Sequence, residues 1–447
     1  MSAAAQKTRS RARGLLSSLI IDRRPLRVAA YRRLWTTTIV TAIGSQFTAV
    51  AVPKQVYDLT GSSGFVGLTG AVALVPLLVF GLWGGAIADT VDRRTVMLVS
   101  NAGIALTSAL LWLQAFLGLD SVWVVLVLLG LQQAFFAVNM PTRTAAIARL
   151  VPVDLLPAAI ALGSTVAQFG MVLGPLLAGT LLPFVGLSTL YLFDATALCL
   201  SMWAVWRLPK IPPLSGPQRR AGLRDVLDGF RYMAAQKVLL MSFLADIIAM
   251  VAGMPRALFP EMAERAFGDP PGGGIALGLL YSAIPVGALL CGISSGWLSR
   301  LRRHGAAVIV SVCVWGVAMA GFGLASSLWL AVVFLALGGA ADMTSMVYRS
   351  AILQTAATDE MRGRMQGVFT VVVAGGPRIA DLVHGWTAAA TGTAAAAAGG
   401  GVLVVVLTVV AAACLPVFWR YRAPAATEAE APAMTADEAG RPAAEPA

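Results

Sequence analysis

Charged side chains inside long apolar stretches are the residues of this chain best suited to carry chemistry. Asp246 and Asp342 lie in two such stretches, and a third contains Arg378, Asp381 and His384. If these stretches cross a bilayer, each charge costs about 2.5–3.5 kcal/mol at the membrane centre, so such residues usually face a polar cavity or a partner. All but Arg378 are therefore candidates for binding and releasing a proton, and Arg378 is a candidate for binding a substrate.

Two interpretations of the Arg378, Asp381 and His384 group stay open. Residues three apart lie on one flank of a helix, so Asp381 can interact with either neighbour. An imidazole titrates near neutral pH, which suits proton coupling. The alternative is a structural ion pair between packed helices, with a hydrogen-bonded histidine.

The other two carboxylates differ in their local surroundings. Asp246 has no basic residue one helical turn away, which favours a functional role over a local ion pair. Asp342 can pair with Arg349 or Arg378, so a structural role competes with a functional one there.

The composition of the 447 residues indicates a membrane protein. Hydrophobic residues make up 58% and charged residues 12%, whereas soluble domains carry about 25% charged residues. The net charge of +11 comes from basic residues in short loops, a distribution that argues against nucleic-acid binding. The four cysteines form no CxxC pair, and no Walker A loop, nucleophile group or metal-ligand spacing is found. We therefore expect no enzyme activity, no metal and no cofactor.

The apolar stretches predict an all-α membrane protein with twelve spans in two six-helix bundles. A span needs about 20 mostly apolar residues, and twelve stretches qualify: about 34–57, 65–88, 95–117, 121–141, 158–182, 187–207, 238–260, 275–298, 305–325, 328–349, 365–390 and 396–419. The predicted organisation begins with a basic cytoplasmic tail (1–33) and a first six-helix bundle (34–207). A cytoplasmic linker (208–237), a second six-helix bundle (238–420) and a disordered cytoplasmic tail (421–447) follow.

Basic residues are concentrated in the tails and in every second loop. The positive-inside rule therefore places both termini in the cytoplasm. Within the linker, apolar residues recur at helical spacing over 222–233, which predicts an amphipathic helix on the cytoplasmic membrane surface.

Polar side chains in the spans are candidates for lining a substrate cavity. In the first bundle they are Gln46, Gln132, Asn139 and Gln168, and Tyr281 supplies an aromatic face in the second. Hydrogen bonding within each bundle would explain any one of them as well.

The loop between the second and third spans carries a short charged motif, formed by Gly85, Asp89, Arg93 and Arg94. Its spacing resembles the loop motif of the major facilitator superfamily, in which a Gly is followed four residues later by an Asp and then by a basic pair. Thr90 and Asp92 differ from the family, which usually has a basic residue and a Gly there. The resemblance implies a conformational latch between two helix ends, and an ordinary basic loop is the alternative.

The fifth span contains a second motif, made of Gly170, Gly174, Pro175 and Gly179. It resembles the Gly-Pro motif of exporters in the same superfamily. Small residues also allow helices to approach closely and Pro bends them, so ordinary packing is the alternative.

The resemblance to the superfamily covers about residues 30–420. Three stretches, 51–62, 279–288 and 352–367, more specifically resemble the enterobactin exporter branch. It implies a monomeric, multi-pass protein of the plasma (inner) membrane that exports a catecholate siderophore by alternating access, driven by protons. Its partners would be the lipid bilayer, a small-molecule substrate and protons. A multidrug efflux transporter is the alternative within transport. A non-transporting membrane sensor or assembly factor is the alternative from another class.

Overall fold

The computed structural model describes residues 22–212 and 223–422, which we call the N-terminal half and the C-terminal half. Within them, side chains are not described at 82–89, 223–227, 297, 299, 300, 359, 360, 362–364, 366, 367 and 370. Most of the tail predicted to be disordered (423–447) and most of the basic N-terminal tail therefore lie outside the described residues.

Helices make up nearly all of the described chain. They are α1 Ala29–Thr60, α2 Ser63–Thr90, α3 Arg93–Phe116, α4 Val122–Leu150, α5 Leu156–Trp206, α6 Leu223–Ala235, α7 Lys237–Gly253, α8 Phe259–Arg265, α9 Ile275–Ile293, α10 His304–Gly323, α11 Leu328–Ala356, α12 Asp359–Thr391, α13 Thr393–Cys414 and α14 Pro416–Trp419. Short 3-10 turns cover Arg24–Arg27, Val153–Leu155, Arg256–Leu258 and Ser295–Arg300. The predicted helical class is confirmed, and α6 lies where the amphipathic helix is predicted.

Among the described residues, nine helical stretches are long and apolar enough to cross a membrane. One of the nine runs from Val153 to Trp206 and contains a break at Gly186, whose φ of 74° interrupts the helix. The helices α1 and α12 are not among the nine, although each has more than 30 residues. Both place polar and charged side chains toward the interior of the protein, which lowers their mean hydropathy.

Close glycine contacts join the two halves of the chain. The helix α2 packs along α12, and α5 packs along α9. A Cβ atom built on Gly67 would lie 2.4 Å from the carbonyl oxygen of Asp381. One built on Gly179 would lie 2.4 Å from the backbone nitrogen of Gly278. These helices can approach so closely because glycine has no side chain.

The two ends of the helices differ in charge. The described chain begins and finishes at the same end of the helices, and we call this end the basic end. Arginines lie there on several helices and loops, namely Arg24, Arg94, Arg207, Arg303 and Arg420. At the opposite end the halves are joined by polar contacts. Lys54 of α1 forms ion pairs with Asp58 and, at 2.9 Å, with Glu264 of α8. The hydroxyl of Ser63, at the start of α2, donates a hydrogen bond to the carboxylate of Glu261 on α8.

Candidate functional site

A cavity of about 460 Å³ lies between the two halves. Its polar lining combines side chains from α1 to α5, α9 and α12 with the turn that precedes α8. These are Thr38, Thr41, Ser45, Gln46, Thr48, Thr69, Asn101, Gln132, Gln133, Asn139, Arg143, Asp194, Ser201, Arg256, Tyr281, Arg378 and Asp381. The inter-half contacts described above close the opposite end. The lining extends toward the basic end as far as Met140, which is 52% exposed, and Arg143.

Most of the predicted cavity residues line this space. Gln46, Gln132, Asn139 and Tyr281 do so, together with Arg378. Gln168 is half-buried and is not among the described residues that form the lining.

Polar groups on the N-terminal side of the cavity form two hydrogen-bonded groups, one around Asp194 and one around Asn139. The buried carboxylate of Asp194 accepts hydrogen bonds from Thr48 at 2.7 Å and from Ser108 at 2.8 Å. The amide of Gln132 donates to Ser108 at 2.8 Å. The amide of Asn139 donates to Asn101 of α3 at 2.8 Å. The cavity wall is therefore held by hydrogen bonds among buried polar groups that would be costly to leave unpaired.

The C-terminal side of the cavity carries separated charges. Arg378 donates a long hydrogen bond of 3.5 Å to Gln133, so it reaches across to the N-terminal half. Arg256 lies 5.8 Å from the centroid of the Tyr281 ring. Asp381 is 8% exposed, and its Oδ1 atom has no hydrogen-bond partner within the described chain. Both arginines are close enough to Asp381 to interact electrostatically, and neither forms an ion pair within 4.0 Å among the described residues.

Asp246 and Asp342 lie outside the cavity and share one arginine. The guanidinium of Arg349 on α11 forms an ion pair with Asp246 on α7 and lies 3.5 Å from an oxygen of Asp342. Asp246 is 2% exposed and Arg349 is 4% exposed. The ionised group holds two carboxylates and one guanidinium, so it carries one net negative charge. We call these three residues the buried triad.

His384 faces away from the central cavity. Its Nε2 atom lies 3.0 Å from the carbonyl oxygen of Ala252 on α7. It lines a second, largely apolar space of about 380 Å³ between α7, α12 and α13. Asp381 and His384 therefore contact different neighbours, and no hydrogen bond joins them within the described chain.

The loop motif is only partly described. The surroundings of Gly85 and the side chain of Asp89 are not described, so the conformational latch stays a prediction. Asp92 has a clear role, because its carboxylate accepts hydrogen bonds from the backbone N–H of Arg94 at 2.9 Å and of Ile211 at 3.1 Å. It therefore caps the start of α3 and holds the segment that follows α5. The Arg94 guanidinium donates to the carbonyl oxygen of Trp206 at the end of α5, and Arg93 is buried.

The glycines of the second motif are packing positions. Cβ atoms built on Gly170 and Gly174 would meet Ala42 at 2.9 Å and Gln46 at 2.4 Å on α1. Gly179 contacts the C-terminal half, and Pro175 is buried in the same helix. These contacts agree with the packing interpretation, and the exporter interpretation stays a prediction.

Two cavity arginines are not among the predicted site residues. The apolar pattern predicts the end of the fourth span at Pro141, but α4 continues to Leu150 and carries Arg143 to the cavity. Proline is tolerated inside membrane helices because neighbouring groups satisfy the freed backbone. Arg256 lies in the turn after α7. From the sequence alone, an arginine in such a turn that faces a loop cannot be distinguished from one that faces the cavity.

Comparison with known proteins gives consistent matches over most of the chain. Residues 22–437 match the family described as transmembrane secretion effector. An enterobactin exporter, EntS, of Shigella boydii serotype 4 is 30% identical over 371 residues, which cover 82% of this chain and 87% of that protein. The structure of a peptide transporter, POT, in complex with sulfate has a TM-score of 0.71 at 12% identity and covers 88% of this chain and 96% of that one. A bacterial homolog of the lysosomal transporter Spinster, in an inward-facing and unoccupied conformation, has a TM-score of 0.67 at 16% identity and covers 89% and 98%. At these identities the two structures show a shared fold alone.

Proposed function

Since the chain belongs to the transmembrane secretion effector family and is a multi-pass membrane transporter of the major facilitator type, we propose that it exports a siderophore such as enterobactin by alternating access. The observation that carries this proposal is the central cavity, which both halves line and whose opposite end is bridged by contacts between the halves. A cavity between two halves that rock against each other is the arrangement by which secondary transporters move a substrate. The siderophore in this proposal comes from the function of the related enterobactin exporter.

The proposal includes a membrane topology. Twelve spans in two bundles of six would place both termini on one side, and the basic end would face the cytoplasm by the positive-inside rule. The cavity would then be open to the cytoplasm and closed to the outside, ready to receive a substrate made in the cell. A monomer suffices, because the cavity is formed within one chain.

The experiment that tests the function compares cells that lack the chain with cells that carry it. We expect a catecholate siderophore to accumulate inside the cells that lack it and to be depleted from their medium. Accumulation of unrelated dyes, with normal siderophore release, would favour the multidrug alternative. No change in either would contradict export and favour a sensor or assembly factor.

Proton coupling is the second part of the proposal, and the buried carboxylates support it. One proton on Asp246 or Asp342 would make the triad neutral, which lowers the cost of a buried net charge. Asp381 offers a second site, because it lies on the cavity and one of its oxygens is unpaired. His384 is the weakest of the four candidates, since its Nε2 atom already contacts a backbone carbonyl oxygen.

The coupling proposal predicts a loss of gradient dependence. In membrane vesicles, an outside-acidic pH gradient should accelerate export by the unmodified chain. We expect Asp246→Asn or Asp381→Asn to reduce this stimulation by about tenfold, because each removes a buried ionisable group. Asp120→Asn, at an exposed loop position, is the matched control and should behave as the unmodified chain does. Normal stimulation in both buried variants would exclude these two carboxylates as the coupling site.

A further inference from the structure

We propose that the central cavity binds an anionic group of the substrate, held by Arg143, Arg256 and Arg378. This inference deepens the proposed export function and rests on it. It adds the chemical class of the substrate and assigns binding roles to Arg143 and Arg256.

The cavity lining contains more positive than negative side chains. Among the described residues, three guanidiniums and two carboxylates line this space. One of the carboxylates, Asp194, accepts hydrogen bonds from the hydroxyls of Thr48 and Ser108 on one of its two oxygens. No ion pair within 4.0 Å joins any of the three arginines to a carboxylate in the described chain. The cavity therefore carries net positive charge.

The arginines are held by neutral partners, which leaves them able to bind a ligand. Arg143 donates to the hydroxyl of Thr38, and Arg378 donates to the amide oxygen of Gln133 at 3.5 Å. Arg256 lies beside the Tyr281 ring. Each guanidinium has five N–H donors, so these contacts leave several free. Guanidinium groups form strong, charge-assisted hydrogen bonds with a carboxylate, phosphate or phenolate.

Two buried cations outside the cavity lining are paired with carboxylates. Arg349 contacts two carboxylates inside the C-terminal half, and the buried Lys54 also contacts two. The three cavity arginines lack such partners although they lie in the same membrane-spanning part of the protein. They also come from both halves of the chain, so an anion bound among them would bridge the two halves.

The test measures the binding of two dyes that share a xanthene core and differ in charge. Carboxyfluorescein is anionic and rhodamine 123 is cationic. Binding to the purified full-length chain is followed by fluorescence polarisation in nanodiscs of phosphatidylcholine. We expect carboxyfluorescein to bind at least about tenfold more tightly, from hydrogen bonds to charged donors. The preference should be lost in Arg256→Gln and in Arg378→Gln and largely retained in Arg378→Lys. Arg265→Gln, at an exposed arginine outside the cavity, should leave it unchanged.

Several results would overturn the proposal. They are equal affinity for the two dyes, tighter binding of rhodamine 123, no saturable binding of carboxyfluorescein, or a preference that survives both glutamine variants. Loss of carboxyfluorescein binding when phosphatidylglycerol replaces phosphatidylcholine would also overturn it, since the arginines would then hold lipid headgroups. Siderophore export measured in cells separates this inference from the proposed function. Export without an anion preference rejects only the inference, and an anion preference without export rejects only the function.

Discussion

Replacing Arg349 with methionine should destabilise the protein by about 3–5 kcal/mol, the cost of breaking a buried ion pair by removing one partner. The guanidinium is 4% exposed and lies between Asp246 and Asp342. Without it, two carboxylates remain between the packed helices with no cation beside them. One of them must then take up a proton or be solvated by water. Thermal unfolding in detergent measures the effect, and we expect the midpoint to fall by several degrees.

The control for this prediction is Arg265→Met. Arg265 pairs with Glu261 at 3.0 Å, but its side chain is 63% exposed, so we expect a loss of about 1 kcal/mol or less. Adding Asp246→Asn and Asp342→Asn to Arg349→Met should restore much of the stability, because no unpaired charge remains. Equal midpoints for Arg349→Met and Arg265→Met would show that the triad does not stabilise the fold.

A leucine at position 179 should reduce export by about tenfold or more. The Cβ atom would lie 2.4 Å from the backbone nitrogen and 2.5 Å from the Cα atom of Gly278, so the backbones of α5 and α9 would have to separate. Overpacking of this kind costs about 1–3 kcal/mol, which corresponds to roughly fivefold to 150-fold in an equilibrium. The conformation in which the opposite end is closed would become less populated. Siderophore export per molecule in the membrane is the measurement.

Gly163→Leu is the matched control for Gly179→Leu. Gly163 lies in the same helix, and a Cβ atom there would meet no atom within 4 Å. We expect normal export from this variant. Normal export from Gly179→Leu, at equal amounts in the membrane, would contradict a functional role for the contact between α5 and α9.

The sequence predicts the helical class and the helix positions well, because long apolar stretches leave few alternatives. It predicts Gln46, Gln132 and Tyr281 as cavity residues for a similar reason, since a polar or aromatic group in an apolar span needs a polar neighbour. It names Arg349 as one of two possible partners of Asp342, a contact that the structure shows, but it does not predict that Asp246 meets the same arginine. Asp246 has no basic residue one turn away along its own helix, and its partner Arg349 comes from another helix, more than 100 residues further along the chain.

Side-chain direction is the other quantity that spacing alone did not supply. Asp381 and His384 lie three residues apart on α12, yet one lines the central cavity and the other lies beside Ala252. The helices packed on either side of α12 decide this difference, and their positions are long-range information. Arg143 shows a related limit, because a proline at 141 indicates a helix end in soluble proteins and not in a membrane helix.

The central claim is that the cavity opens alternately at the two ends, and pairs of spin labels at those ends test it directly. Cysteines would replace the exposed Leu119 and Leu324 at the opposite end in one variant, and the exposed Val153 and Arg302 at the basic end in another. The four native cysteines would first be replaced. Distances from pulsed electron paramagnetic resonance would be compared at neutral and acidic pH, with and without enterobactin. Alternating access predicts that the distance at the opposite end increases while the distance at the basic end decreases. Distances that stay constant under every condition, or that increase together, would contradict it.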